Sequence, residues 1–175
     1  MEPNLKKIKA IAFDIDGVLT DGSLIPLENG DLLRIVNAKD AFAVRFAKAQ
    51  GFITSIMSGG DTEALRKRCL NIGIDPENLF LGCRGKLAIF KEFCEGRGLK
   101  ATEVAYFGDD IADIQVLAAC GAGFAPADAV PEAQAAADFV LSHPGGRGAV
   151  REGVEMIMKA QGKWEFDPNG FEKIF

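Results

Sequence analysis

The chain has 175 residues, 48% apolar and 26% charged, which is enough for one domain with a full core and unlike a disordered chain. A net charge of −5 weighs against nucleic acid or an anionic membrane surface as a partner. No apolar run reaches the length of a bilayer span or a signal-peptide core, and Cys69, Cys83, Cys94 and Cys120 form no Cys-x-x-Cys pair. Reduced thiols in a cytoplasmic protein are therefore expected.

The run from Ile8 to Phe13 reads as a fully buried strand that ends in Asp14-Ile15-Asp16-Gly17. Buried parallel strands present ligand chemistry at their carboxyl ends, so Asp14 and Asp16 are placed at a site mouth. Two carboxylates so close call for a cation or a shared proton. A plain turn accounts for Asp16-Gly17 but not for Asp14 at the end of an apolar strand.

Two extended runs then flank Glu28-Asn29-Gly30, which predicts a β-hairpin inserted at about residues 21–36. Pro26 marks one arm as an edge, and a lone hairpin is marginal in water. It is expected to pack on another subunit or to fold over the site.

From Asp40 onward, helices alternate with strands. Helices are predicted at 41–50, 62–70, 86–95, 111–120 and 149–160, with a helical turn near Glu132. Strands are predicted at 52–57, 78–81, 104–107, 123–125 and 139–141. This alternation indicates an α/β fold: a doubly wound, Rossmann-like parallel sheet with helices on both faces, an inserted hairpin and no large cap domain. One domain is expected over residues 1–161. The tail, 162–175, carries Trp164, Phe166, Phe171 and Phe175, and its aromatics are expected to dock on the body or on a neighbouring subunit.

Four strand ends carry polar groups in sequence. They are Asp14 and Asp16, then Ser58 with Gly59 and Gly60, then Lys86 opening a helix, then Asp109 and Asp110 with Asp113 a turn on. A parallel sheet gathers these ends on one edge. Hard carboxylate oxygens for Mg²⁺, N–H donors for phosphate oxygens, and a nucleophile are the parts phosphoryl transfer needs. His143 is the only histidine, which makes a histidine-rich metal site or a histidine-based triad hard to build, and a structural or surface role is expected for it.

With Asp14-x-Asp16-Gly17-x-x-Thr20, Ser58, Lys86 and Gly108-Asp109-Asp110-x-x-Asp113 in this order, the chain resembles the haloacid dehalogenase-like phosphatase superfamily. The hairpin in place of a large cap, the Asp40 segment and the stretch from Gly145 to Glu152 resemble the 3-deoxy-D-manno-octulosonate 8-phosphate (KDO 8-phosphate) phosphatase family, which serves lipopolysaccharide sugar synthesis. The resemblance implies Asp14 as nucleophile forming an aspartyl-phosphate, and Asp16 as general acid and base. It implies Mg²⁺ on the Asp14 carboxylate, the Asp16 backbone carbonyl and Asp109. Ser58, the Gly59 N–H and Lys86 would hold the phosphate, with Asp110 and Asp113 orienting Lys86 and the metal's waters. It further implies a homotetramer, and Lys39, Asp40, Gly60 and Arg147 as substrate residues, Lys39 and Arg147 facing the sugar carboxylate. The sequence departs from the pattern at two places. Gly60 stands where this family carries arginine and where phosphatases of the nine-carbon sugar 2-keto-3-deoxynononate 9-phosphate carry glutamate, and Lys39-Asp40 replaces Arg-Asp. A nine-carbon sugar phosphatase, a catalytically silent assembly module and a receiver-type signalling domain are the other readings. The intact Asp14, Asp16, Lys86 and Asp109 set argues against silence, and Asp16-Gly17 with the later acidic cluster argues against a receiver.

Overall fold

The structure, a computed structural model, describes residues 3–166. It begins with β1 (Ala10–Phe13), a short antiparallel hairpin of β2 (Ile25–Pro26) and β3 (Leu32–Leu33), and α1 (Ala38–Ala49). Then come β4 (Ile53–Met57), α2 (Glu63–Asn71), β5 (Leu79–Phe80), α3 (Lys86–Gly96) and β6 (Val104–Phe107). The chain continues through α4 (Ile114–Ala119), β7 (Ala122–Ala125), α5 (Pro131–Ala136), β8 (Phe139–Val140) and α6 (Ala149–Ala160). The main sheet is entirely parallel in the order β5-β4-β1-β6-β7-β8.

The strands are mostly apolar, with buried Thr54 and Ser55 in β4 as exceptions, because helices cover both of their faces. Successive side chains of β1 point to opposite sides of the sheet. Ile11 and Phe13 join the layer of α1, α2 and α6, with Val44, Phe46, Leu65, Val154 and Ile157. Ala10 and Ala12 face Phe90, Phe93, Val116 and Leu117 from α3 and α4. The small alanines let those two helices approach the sheet closely. All four residues of β1 are buried.

Register then decides where the polar groups fall. Phe13 lies opposite Ile56 of β4 and Phe107 of β6, and Met57 lies opposite Phe80 of β5. These strands end almost level, so Asp14, Ser58 and Gly108-Asp109 emerge side by side. From β1 the chain first winds out to β4 and β5, then returns to β6 on the other flank. Ligands of open α/β sheets bind at such a reversal, and Asp14 stands on it.

The predicted hairpin is present, with Leu24, Ile25, Leu27, Leu33 and Ile35 between 42% and 68% exposed. The expected helix at 111–120 is divided. Asp110 caps a 3₁₀ turn at Ile111–Asp113, and α4 follows from Ile114. At the end of the described residues, Trp164 sits edge-on to Phe46 with ring centroids 5.3 Å apart, and the Arg151 guanidinium lies 4.5 Å above the Trp164 ring. Phe166 stacks on Phe46 at 5.0 Å. These two aromatics therefore dock on the chain's own α1 and α6, while Phe171 and Phe175 lie outside the described residues. The four cysteines are free thiols.

Candidate active site

At the carboxyl edge of the sheet lies a cleft of about 460 Å³, lined by Asp14, Asp16, Ser58, Gly59, Gly60, Lys86, Asp109 and Asp110, among others. The loop from Asp14 to Thr20 is held by its own backbone. The Asp14 carboxylate accepts from the Ile15 N–H at 2.7 Å. Thr20 Oγ1 donates to the Ile15 carbonyl at 3.3 Å and accepts from the N–H groups of Gly17 and Gly22. Gly17 has a φ of +88°, and a Cβ there would run into the Asp109 carboxylate. Only glycine combines that backbone with that approach.

Lys86 is buried between two carboxylates, with Nζ 2.6 Å from Asp14 Oδ2 and 2.7 Å from Asp113 Oδ1. Burial disfavours the charge on Lys86, but Asp14 and Asp113 more than offset it and raise its pKa. Asp113 is fully enclosed. Its Oδ1 also accepts from the Tyr106 hydroxyl at 2.6 Å, and its Oδ2 accepts from the N–H groups of Asp109 and Asp110 at 3.1 and 3.2 Å. All its bonding capacity serves to hold Lys86 and the loop after β6. A Cβ at Gly108 would strike Asp113, so this glycine admits the carboxylate.

Asp110 itself is exposed and accepts from the Ile111 N–H at 2.7 Å, and Lys86 is oriented by Asp113 rather than by Asp110. On the opposite wall Ser58 is buried and its Oγ accepts from the Gly60 N–H at 3.2 Å.

Asp14, Asp109 and Asp113 offer oxygens that all lie within 4.8 Å of one another. Asp109 Oδ1 is buried without a hydrogen-bond partner, a costly state that a cation would relieve. Burial pushes the Asp14 carboxyl up to about 6, Lys86 pulling it down and Asp113 raising it. Burial, then the nearby Asp14 and Asp113, push Asp109 up to about 7. The donors are hard oxygens and the unbalanced charge is negative, which fits a divalent cation such as Mg²⁺. Since Asp113 already accepts four hydrogen bonds, Asp14 and Asp109 are the carboxylates open to it.

The sequence profile of the haloacid dehalogenase-like hydrolases matches residues 37–121. Over 163 residues the chain is 38% identical to the 3-deoxy-D-manno-octulosonate 8-phosphate phosphatase of Haemophilus influenzae, covering 93% of this chain and 89% of that protein. It belongs to the haloacid dehalogenase-like hydrolase family. The cobalt-bound structure of the phosphatase from Haemophilus influenzae superposes with a TM-score of 0.87 at 38% identity, covering 91% of this chain and 92% of the other. The Moraxella catarrhalis phosphatase in complex with magnesium, phosphate and KDO superposes with a TM-score of 0.88 at 29% identity, covering 92% and 91%.

In this member of the family, three of the expected substrate residues lie elsewhere. Lys39 and Arg147 line a separate cavity with His143, Arg151, Glu152 and Glu155. Arg147 reaches Asp21 at 3.4 Å, and His143 bonds Glu152 at 2.8 Å, a structural role. Asp40 is fully buried, and its two oxygens accept from the N–H groups of Gly148 and Arg151 at 3.0 and 2.8 Å. It caps the first turn of α6 from 108 residues away, where a negative charge also suits the helix dipole. Gly60 alone of the four lines the cleft.

Asp40→Asn turns one acceptor into a donor facing an N–H. It is expected to cost about 2 kcal/mol, a fall in Tm of roughly 4–8 °C, with kcat/KM little changed. Thermal unfolding beside steady-state kinetics would check this, and lost activity at unchanged Tm would count against it.

Reading the sequence missed two residues. Tyr106 was visible as the single tyrosine of the chain within an apolar strand, and a buried hydroxyl needs a partner. Arg34, at the end of the hairpin, donates to both oxygens of Asp16, from Nε at 2.7 Å and Nη2 at 2.9 Å. No local signal distinguished it from any surface arginine.

Metal dependence should show in stability as well as in activity. Both carboxyls hold their protons more tightly in the folded protein than their ordinary value of 3.8, so without metal the folded state loses stability as pH rises from about 4 to about 7. A cation that needs the ionised groups reverses the upper end of this loss. At a hundredfold excess over Kd, Mg²⁺ is expected to add about 2.7 kcal/mol, or roughly 5–10 °C, at pH 8 and far less at pH 5. Equal Mg²⁺ shifts at the two pH values, read by calorimetry, would contradict this.

Proposed function

We propose that this chain is a Mg²⁺-dependent phosphatase that hydrolyses KDO 8-phosphate to KDO and phosphate. The observation that carries the reading is the Asp14–Lys86–Asp113 chain beside the unpartnered Asp109, in a fold shared over 92% of this chain with a phosphatase whose structure holds magnesium, phosphate and KDO.

Asp14 attacks phosphorus, the bond to the sugar oxygen breaks, and a proton from Asp16 goes to that oxygen. An aspartyl-phosphate remains on Asp14. Asp16 then takes a proton from water, which attacks the phosphorus and frees Asp14 and inorganic phosphate. Ser58, the Gly59 N–H and Lys86 bind the phosphate oxygens and offset their growing charge. Asp113, seconded by Tyr106, keeps Lys86 pointed at them. The Asp14 and Asp109 carboxylates and the Asp16 backbone carbonyl would hold Mg²⁺. When bound, the metal shields the charge between the carboxylates and the phosphate.

The exposed apolar residues of the hairpin support a homotetramer in which hairpins meet. Sedimentation at micromolar protein would show four copies, and a monomer would end that part of the reading. The absence of any helix long and apolar enough to cross a membrane among the described residues accords with a cytoplasmic enzyme.

The test is phosphate release with Mg²⁺ from a panel holding KDO 8-phosphate, 2-keto-3-deoxynononate 9-phosphate and simple sugar phosphates. A strong preference for the first is expected. Preference for the nine-carbon ester would keep the mechanism and change the substrate. No turnover at all would leave an assembly module.

A further inference from the structure

The cations expected to meet the substrate's carboxylate, Lys39 and Arg147, open onto another cavity. Asp16 lines the catalytic cleft, and the fork-shaped donor seated on it from the adjoining cavity is Arg34. Its side chain is only 7% exposed, and both of its bonds to carboxylate go to Asp16. That pairing conflicts with the work assigned to Asp16, which needs an oxygen on the reacting sugar oxygen while both are now on the guanidinium. A two-point fork is released most readily by another planar carboxylate, because one bidentate pair then replaces another at little net electrostatic cost.

The surroundings leave room for such an exchange. A Cβ at Gly60 would lie 3.0 Å from Arg34 Nη2, so the bare glycine clears the seat of the guanidinium. Beside it lies a cavity of about 160 Å³, lined by Leu27, Leu32, Val36, Leu65 and Arg34 itself. Asp16 supplies the two short bonds to the guanidinium, and the remaining hydrogen bond is a long one, 3.4 Å from Nη1 to the Leu32 carbonyl.

We infer that Arg34 is a specificity-determining residue: it binds the sugar's carboxylate, and its pair with Asp16 is the resting state that the substrate displaces. The inference rests on the substrate reading above. Esters without a carboxylate leave Asp16 clamped and turn over slowly, whereas a 2-keto sugar acid phosphate frees Asp16 as it binds. Arg84, which is exposed at the mouth of the same cleft and makes no ion pair among the described residues, provides the comparison: a cation without a fixed partner.

The experiment compares kcat/KM for KDO 8-phosphate and for p-nitrophenyl phosphate, with Mg²⁺, in the unaltered enzyme and in Arg34→Ala, Arg34→Lys and Arg84→Ala. For Arg34→Ala the expected result is a crossing: a fall of about 100-fold or more on the carboxylated ester and a rise of several-fold on p-nitrophenyl phosphate. Arg34→Lys, which keeps the charge but not the fork, should fall between, and Arg84→Ala should lower both substrates alike. A parallel fall on both substrates in Arg34→Ala and Arg34→Lys, with Tm retained, would reduce Arg34 to a structural tie and overturn the inference alone. Should Arg34→Ala fail to fold, Arg34→Lys carries the same comparison of ratios. An unaltered enzyme that does not prefer carboxylated esters would overturn the substrate reading, and this inference with it.

Discussion

Asp14→Asn is expected to lower phosphate release by about 10⁴-fold or more while leaving the fold intact. Asparagine has the shape of aspartate and keeps a carbonyl oxygen for the Ile15 N–H, so the loop from Asp14 to Thr20 retains its anchor. What it lacks is an anionic oxygen to attack phosphorus. The loss should appear in kcat for every phosphate ester, because each is cleaved by attack of the same Asp14 oxygen whatever the leaving group. Stability should move the other way. Burial already resists the charge of Asp14, pushing its carboxyl up to about 6, and the neutral amide removes that cost at neutral pH. Lys86 keeps its second partner, Asp113, at 2.7 Å. A Tm equal to or above that of the unaltered protein, with activity gone, would be the signature of a group retained for chemistry at the expense of stability. Substantial residual turnover in the purified variant would exclude Asp14 as nucleophile.

Lys86→Met should damage both properties together. The side chain fits the same volume, but Asp14 and Asp113 then face each other across a buried space with no cation between them. Removing one partner of a buried ion pair typically costs about 3–5 kcal/mol, here roughly 6–20 °C in Tm. Proton uptake relieves part of this, so the loss of Tm should be smaller at pH 5 than at pH 8. Phosphate loses its strongest protein donor, and a fall of about 10²–10³-fold in kcat is expected. Arginine is no substitute, since the gap between Asp14 and Asp113 is shaped for a compact ammonium. Should Lys86→Met keep its Tm and lose only activity, Asp113 and Tyr106 would have to be satisfied by other means, and the structural half of this account would be wrong.

The two outcomes separate the roles of neighbouring residues in one short chain of contacts. Asp14 is costly to the fold and needed for the chemistry. Lys86 is needed for both. Asp113 and Tyr106, enclosed and fully bonded, act through Lys86, so their loss should resemble a milder form of its loss.

Much of this arrangement was legible before any tertiary contact was known. The strands from Ala10 and Val104 and the helix from Ala149 stand where hydrophobic patterning placed them, because those signals are carried by the residues of each element itself. Thr62 caps α2 with its own hydroxyl on Leu65, also a local matter. A helix broken after Asp113 was harder to see. The 3₁₀ turn there depends on Asp110 and on the demand of Asp113 for the N–H groups before it, which the apolar spacing of 111–120 does not report.

By itself the sequence determined the alternation of strands and helices, and hence a parallel sheet whose polar strand ends must converge, so Asp14, Ser58, Lys86 and Asp109 could be assigned to one cleft. Only the tertiary structure decided which charges meet. Asp40, next to Lys39 and read with it as a substrate residue, caps a helix 108 positions on. Arg34, read as nothing more than part of a hairpin arm, grips Asp16 from 18 positions away. Secondary structure follows from forces acting within a turn or a strand, so a pattern of neighbours suffices to reveal it. The partner of a long charged side chain is set by register, by the crossing of elements and by whether a glycine such as Gly60 leaves room, and no local pattern of residues contains that information.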